Sequence, residues 1–161
     1  MTRELIFVDT ETTGLDPETE KLVELTWATS TSEPETLWFG VQEVPEFVDN
    51  LIGFTKRGIA GRQSDHFAVA RFLAASTGNT MVAANPAFDK AFLEKAGLWR
   101  FHYRMLDIEA YAYGKISGFM EVPSMKQIAD FLNLKQQPDH TSRNDVLAMR
   151  EAYLIMEDRW R

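Results

Sequence analysis

The chain has 161 residues, 45% of them apolar and 25% charged, with no cysteine and a net charge of −7. That is room for one domain, residues 1–161, around a sizeable core, and it excludes disulfides, thiolate metal sites and a cysteine nucleophile. The acid excess argues against a broad basic nucleic-acid surface, though not against a local site whose positive charge comes from metal ions. No apolar run reaches membrane-spanning length and none resembles a signal peptide, so a cytoplasmic protein is expected.

The first element is a buried strand, Leu5-Ile6-Phe7-Val8. Where it runs out, Asp9 and Glu11 follow, then Thr12-Thr13-Gly14. Residues i and i+2 of a strand share a face, so the two carboxylates stand side by side. Lys21–Ser30 and Glu35–Val41 read as two further strands, with Ser32-Glu33-Pro34 as a hairpin turn between them. Val44–Arg62 carries Pro, Gly and Asn and reads as irregular. Helical spacing begins at Asp65 with Phe67, Ala70, Arg71, Leu73 and Ala74, and stops at Gly78-Asn79.

Thr80–Ala84 is a short buried strand. Asn85-Pro86 then opens a helix, Asn as cap and Pro at the first helical position, with Gly97 as the matching stop. Arg104–Ile108 reads as another strand. Ser124-Met125-Lys126-Gln127 is a capping-box sequence opening a helix to about Leu134. The last helix starts near Ser142, with Val146, Met149, Tyr153, Met156 and Trp160 three or four residues apart. Three strands, helix, strand, helix, strand, helices: the order predicts an α/β domain, an antiparallel set joined to parallel strands by helical crossovers.

Three more polar positions stand beside the Asp9–Glu11 pair. Asp89 lies in the first turn of the helix after Thr80–Ala84, and Asp145 near the start of the final helix. His140 precedes Asp145 by five residues. On a helix that interval would set the two side chains about 140° apart, so His140 shares a site with Asp145 only from the preceding loop. Pro138, Thr141 and Ser142 support a loop and cap there.

Four converging carboxylates repel one another unless cations balance them. Mg²⁺ takes oxygen ligands, and two divalent ions roughly 3.5–4 Å apart can clamp the attacking and leaving oxygens of a phosphodiester. Histidine, as a residue type, titrates near neutrality and suits removal of a proton from water. Each feature also has a plainer reading. A strand can end in Asp-x-Glu without a metal, and Asp89 can simply stabilise its helix. Asp145 can close a capping box with Ser142, and a loop histidine can be merely solvated.

Taken together the three segments resemble something specific. Phe7-Val8-Asp9-Thr10-Glu11-Thr12-Thr13-Gly14-Leu15 is similar to the first motif of the DEDDh 3′→5′ exonucleases, the family of the proofreading epsilon subunit of bacterial DNA polymerase III. Asn85-Pro86-Ala87-Phe88-Asp89 resembles the second motif, and His140-Thr141-Ser142-Arg143-Asn144-Asp145 the third. The motifs stand in order from Phe7 to Asp145. The resemblance implies a ribonuclease H-like fold, a mixed five-stranded sheet flanked by helices, and one exonuclease domain over 1–161. It implies two divalent cations, Mg²⁺ or Mn²⁺, held by Asp9, Glu11 and Asp145 with Asp89 in support, and His140 as general base. It also places Thr12, Leu15, Asn85 and Phe88 against the terminal nucleotide.

The implied substrate is a single-stranded or frayed 3′ end, DNA ahead of RNA, with a separate DNA polymerase as a possible partner and no membrane. Trimming of RNA ends or short oligoribonucleotides is the alternative, and a non-catalytic polymerase-associated module a third reading. Two departures concern subfamily and substrate grip. Ala84 stands where relatives often carry His, and Thr-Ser-Arg-Asn fills the third motif where relatives have small or apolar residues. Asp107 stands where relatives have an aspartate followed by Thr or Ser; here Ile108 follows, and a structural polar contact is expected.

Overall fold

The computed structural model describes residues 3–160. Among them five strands, β1 (Leu5–Thr12), β2 (Leu22–Ala28), β3 (Glu35–Trp38), β4 (Thr80–Ala83) and β5 (Leu106–Asp107), form one sheet in the order β3-β2-β1-β4-β5. The β1–β2 and β2–β3 pairs are antiparallel; β1–β4 and β4–β5 are parallel. The mixed five-stranded sheet expected from the sequence is present. No helix among the described residues is long and apolar enough to cross a membrane.

Among the described residues six helices cover the sheet: α1 (Glu46–Ile52), α2 (His66–Ser76), α3 (Pro86–Lys95), α4 (Ile108–Lys115), α5 (Met125–Leu132) and α6 (Ser142–Arg159). Alternation along β1 divides the core. Ile6 and Val8 pack with Phe72 of α2 and Phe92 and Leu93 of α3. Phe7 points the other way, among Ile108, Ile128, Val146 and Met149 of α4, α5 and α6. All three β1 side chains are fully buried, a gain of roughly 1.5–3 kcal/mol each. The strand is thereby anchored from both faces, and Asp9 and Glu11 continue the α6 side.

The structure moves several boundaries. β1 does not stop at Val8: β2 pairs along its polar half, Asp9 opposite Thr26 and Glu11 opposite Glu24, so the ladder satisfies the backbone there. A register shift follows at Glu11/Thr12. The extra β2 residue, Val23, packs with Val48, Ile52, Phe54 and Ile59. The segment read as irregular therefore contains α1, which exists to cover that small third cluster. β3 ends at Trp38 because Gly40, at φ 68°, turns the chain away.

Helix starts agree better. Asp65 caps α2 by accepting from Ala68 N at 2.8 Å, and the Ser124–Gln127 capping box of α5 is formed in both directions. Asn85, by contrast, makes no side-chain cap; it adopts φ 54° and turns the chain from β4 into α3. Asp107 has the structural contact expected of it, accepting from Glu109 N and Ala110 N at the head of α4, a helix the sequence reading did not separate.

Candidate active site

β1 outruns its parallel neighbour. The last β1–β4 pair is Phe7 with Val82 and β4 ends at Ala83, so beyond Val8 the β4 side of β1 has no strand beside it. A crevice opens where parallel strands end and the chain departs to both sides, the usual ligand position in open α/β sheets. Asp9 lines it with Glu11 buried alongside, and the first turn of α6 brings Asp145 next to both. One carboxylate oxygen from each of the three lies within 4.8 Å of the others.

Asp89 enters from the opposite face, on α3. Its Oδ1 accepts from Thr10 N at 3.1 Å and from the Thr10 hydroxyl at 2.8 Å. The unpaired edge of β1 thus supplies an amide that fixes a fourth carboxylate next to the other three. Asp89 is buried, close enough to raise the Asp9 pKa by its charge, but it stands outside the three-oxygen cluster.

His140 lies in the loop before α6, as the five-residue spacing requires, at φ 59°. The loop is tied by Asp139, whose carboxylate accepts from Thr141 N, the Thr141 hydroxyl and Asn144 Nδ2. Asp139 N in turn donates to Asp145 Oδ1 at 2.9 Å. The capping box imagined between Ser142 and Asp145 is not formed. Ser142 is already inside the helix, and its hydroxyl goes to Glu24. Of the three non-glycine residues at positive φ among those described, His140 and Asn85 both flank the crevice.

The crevice holds about 360 Å³ and is lined by Asp9, Ala84, Glu109, Lys126, His140 and Asp145 among others. More open grooves of about 640 and 650 Å³ lie elsewhere, along the outer side of α6 and beside Thr13 and Phe39, away from the carboxylates. Glu109, Ser124 and Lys126 were not expected at the site. Glu109 accepts from Met125 N at 2.7 Å, which joins the heads of α4 and α5 at the crevice wall. Only the capping box at Ser124 hinted that this wall would be well ordered.

Electrostatics follow from crowding. Burial raises the Glu11 pKa to about 9, reinforced by Asp145 and Glu24 and eased by the Arg57 guanidinium. Burial raises Asp89 to about 7, against the stabilising hydrogen bonds from Thr10. Asp9 is pushed well above the usual carboxylate range by burial and by Glu11, Asp89 and Asp145. Asp145 is raised by burial, partly offset by the Asp139 amide and by His140. Carboxylates held together against their own repulsion, with oxygen the sole donor type, suit a hard divalent cation. The residues present fit such an ion.

The residues expected at the nucleotide are placed less uniformly. Leu15 is 81% exposed beyond the end of β1, and Asn85 is exposed at the head of α3. Phe88 is half-buried, its ring tilted 49° against that of Phe92 with centroids 5.0 Å apart. The Thr12 hydroxyl is buried and donates to Gly14 O at 2.5 Å.

No protein-family model matches the sequence, nor does any curated protein at a significant level. Solved structures do match. A zinc-bound Escherichia coli exonuclease I–single-stranded DNA complex superposes with a TM-score of 0.73 at 14% identity, over 99% of this chain and 41% of that one. Exonuclease I of Methylocaldum szegediense gives 0.70 at 19% identity, over 98% and 41%. Brucella melitensis NrnC with bound Mg²⁺ gives 0.59 at 16% identity, over 98% and 74%. The chain spans under half the length of the exonuclease I chains it matches. At such identities the likeness is one of fold: the sheet and its helices are arranged as in the ribonuclease H-like exonucleases.

Proposed function

We propose that this chain is a metal-dependent 3′→5′ exonuclease, hydrolysing the terminal phosphodiester of single-stranded or frayed DNA and releasing nucleoside 5′-monophosphates. The observation that carries the reading is the meeting of Asp9, Glu11 and Asp145 oxygens within 4.8 Å, on a fold shared with exonucleases. Asp9, Glu11 and Asp145 would hold two Mg²⁺ or Mn²⁺ ions, with Asp89 in support. When bound, such ions supply positive charge to the attacking and leaving oxygens of the phosphodiester.

The protein's own part is positioning and proton transfer. His140, at the crevice mouth on a loop tied to Asp145 through Asp139, takes the proton of the attacking water. The water oxygen bonds to phosphorus, and the 3′-oxygen of the penultimate nucleotide leaves. Lys126 offers the crevice wall a cation for a backbone phosphate. Leu15 presents an apolar surface to the terminal base, with Thr12, Asn85 and Phe88 nearby. A net charge of −7 gives little general grip on a polyanion. A partner that presents the 3′ end, such as a separate DNA polymerase, fits this reading.

The test uses matched DNA and RNA single strands labelled at the 5′ end, with Mg²⁺ or Mn²⁺, with EDTA, and with Asp9→Ala. A metal-dependent ladder shortening from the 3′ end, absent with EDTA or in the variant, is expected, with DNA the faster substrate. Faster RNA cleavage would replace DNA by RNA in the proposal. No ladder from folded protein on either strand would sink the enzyme reading.

A further inference from the structure

We infer that Glu24, Thr26 and Ser142 form a clamp that holds Asp145 in place against Asp9 and Glu11, and so sets the affinity of the site for its cation. The inference rests on the metal reading above. β2 carries two polar side chains on the face it shows to α6, and both are fully buried. They stand directly opposite the two acids of β1: Glu24 across from Glu11, Thr26 across from Asp9. On the other face, β2 is apolar at Leu25 and Trp27. The polar pair is confined to the ground beneath the carboxylates.

Both residues take hold of Ser142, the first residue of α6, itself fully buried. Ser142 N donates to Glu24 Oε1 at 3.2 Å, and its hydroxyl donates to the same oxygen at 3.0 Å. The Thr26 hydroxyl lies 2.7 Å from Ser142 Oγ, and the Thr36 hydroxyl 2.7 Å from that of Thr26. A carboxylate only accepts, so the Ser142 proton goes to Glu24. Thr26 must then donate to Ser142, and Thr36 to Thr26. Each hydroxyl gives its one proton along a chain that crosses β3 and β2 and ends on Glu24.

Glu24 is held from its other side by Arg57, whose Nη2 reaches Oε1 at 3.0 Å and Oε2 at 2.8 Å. Arg57 also donates to Ile52 O and stands 5.9 Å above the Trp38 ring. The segment after α1 thus places a cation under the site. This accounts for a buried carboxylate in the core, and for a helix that lacks a cap of its own. Thr141, at the cap position, makes no side-chain bond to α6. The cross-strand Glu24 supplies the missing acceptor and the negative charge favoured at a helix start.

Asp145 is three residues beyond Ser142, so the two share a helix face. The position of Ser142 on β2 therefore determines how far Asp145 stands from Asp9 and Glu11. Glu24 and Ser142 are positioning residues in this scheme: they touch neither cation nor substrate.

The experiment titrates the metal-free protein with Mn²⁺, by calorimetry and by the Mn²⁺ electron paramagnetic resonance signal, for wild type, Ser142→Ala and Thr26→Val. Ser76→Ala is the control, another fully buried serine whose hydroxyl is spent on Leu73 O within α2. Ser142→Ala and Thr26→Val are expected to weaken Mn²⁺ binding by roughly tenfold, while Ser76→Ala lowers the melting temperature alone. The metal concentration for half-maximal strand shortening rises in step, and KM for DNA at saturating metal stays unchanged. Wild-type Mn²⁺ affinity in folded Ser142→Ala would overturn the clamp. Thr26→Val, which suits a buried strand, decides alone if Ser142→Ala does not fold. Wild-type protein that neither binds Mn²⁺ nor shortens a strand overturns the metal reading and the clamp with it. Binding that is merely insensitive to these variants overturns the clamp alone.

Discussion

Glu11 and Asp89 have pKa values pushed up to about 9 and about 7, so on the proposed metal reading they would give up protons as a cation binds at neutral pH. Metal uptake and proton release are then one event. Calorimetric Mn²⁺ titration at pH 7 in buffers of different ionisation enthalpy is expected to show net proton release, shrinking towards pH 9.5. Equal heats in all buffers would mean the carboxylates are already ionised. A second residue-scale expectation concerns Lys126. Lys126→Ala should raise KM for a single strand with kcat held. It should also flatten the slope of log KM against log salt by about one ion's worth. An unchanged salt slope would remove Lys126 from the strand's path. Sequence reading had the acids here but not their company. Asp9 and Glu11 announce their shared face by a spacing of two, whereas tertiary packing alone brings Lys126 and Glu109 to the crevice and Glu24 beneath the acids.

At the scale of elements, the segment 45–62 does more than its irregular composition suggests. It delivers Arg57, and Arg57→Ala would leave the fully buried Glu24 without its cation. Removing one partner of a buried pair costs about 3 kcal/mol or more. Urea unfolding should show it as a lower midpoint at unchanged slope; a loss within 0.5 kcal/mol, roughly a surface-mutation effect, would say the pair is idle. Ser124→Ala is expected to lose about 1 kcal/mol through its cap. α5 and α6 were legible because a capping box and a long apolar periodicity are local signals. α1 was not: it has seven residues, follows Pro45, lacks a side-chain cap and presents only Val48 and Ile52 to the core. α4 was hidden because Asp107 is at once the end of a two-residue strand and the helix cap. The polar half of β1 lay beyond the strand read at Leu5–Val8, because no apolar pattern marks it. Its strand character comes from pairing with β2, the next element along the chain.

For the whole molecule, crowded acids make the metal-free fold sensitive to alkali. A carboxyl whose pKa is raised by folding binds its proton more tightly in the native state. Its contribution is complete below the unfolded value of about 4 and is lost as pH rises through the folded value. The metal-free protein should therefore lose stability between about pH 4 and pH 9. Saturating Mn²⁺ should stabilise it more at pH 8 than at pH 6. Thermal melts with and without Mn²⁺ test this, and a metal effect independent of pH would contradict it.

The same architecture also sets when the carboxylate cluster can form. Asp9 and Glu11 lie on the first strand, while Asp145, His140 and Ser142 belong to the last helix and its approach. During synthesis the ribosome releases β1 early and α6 late. Until Ser142 has docked on Glu24 and Thr26, the nascent chain owns two repelling acids without the third arm that completes their grip. On the proposed reading, the three acids could serve a cation only once α6 has left the exit tunnel and docked on β2.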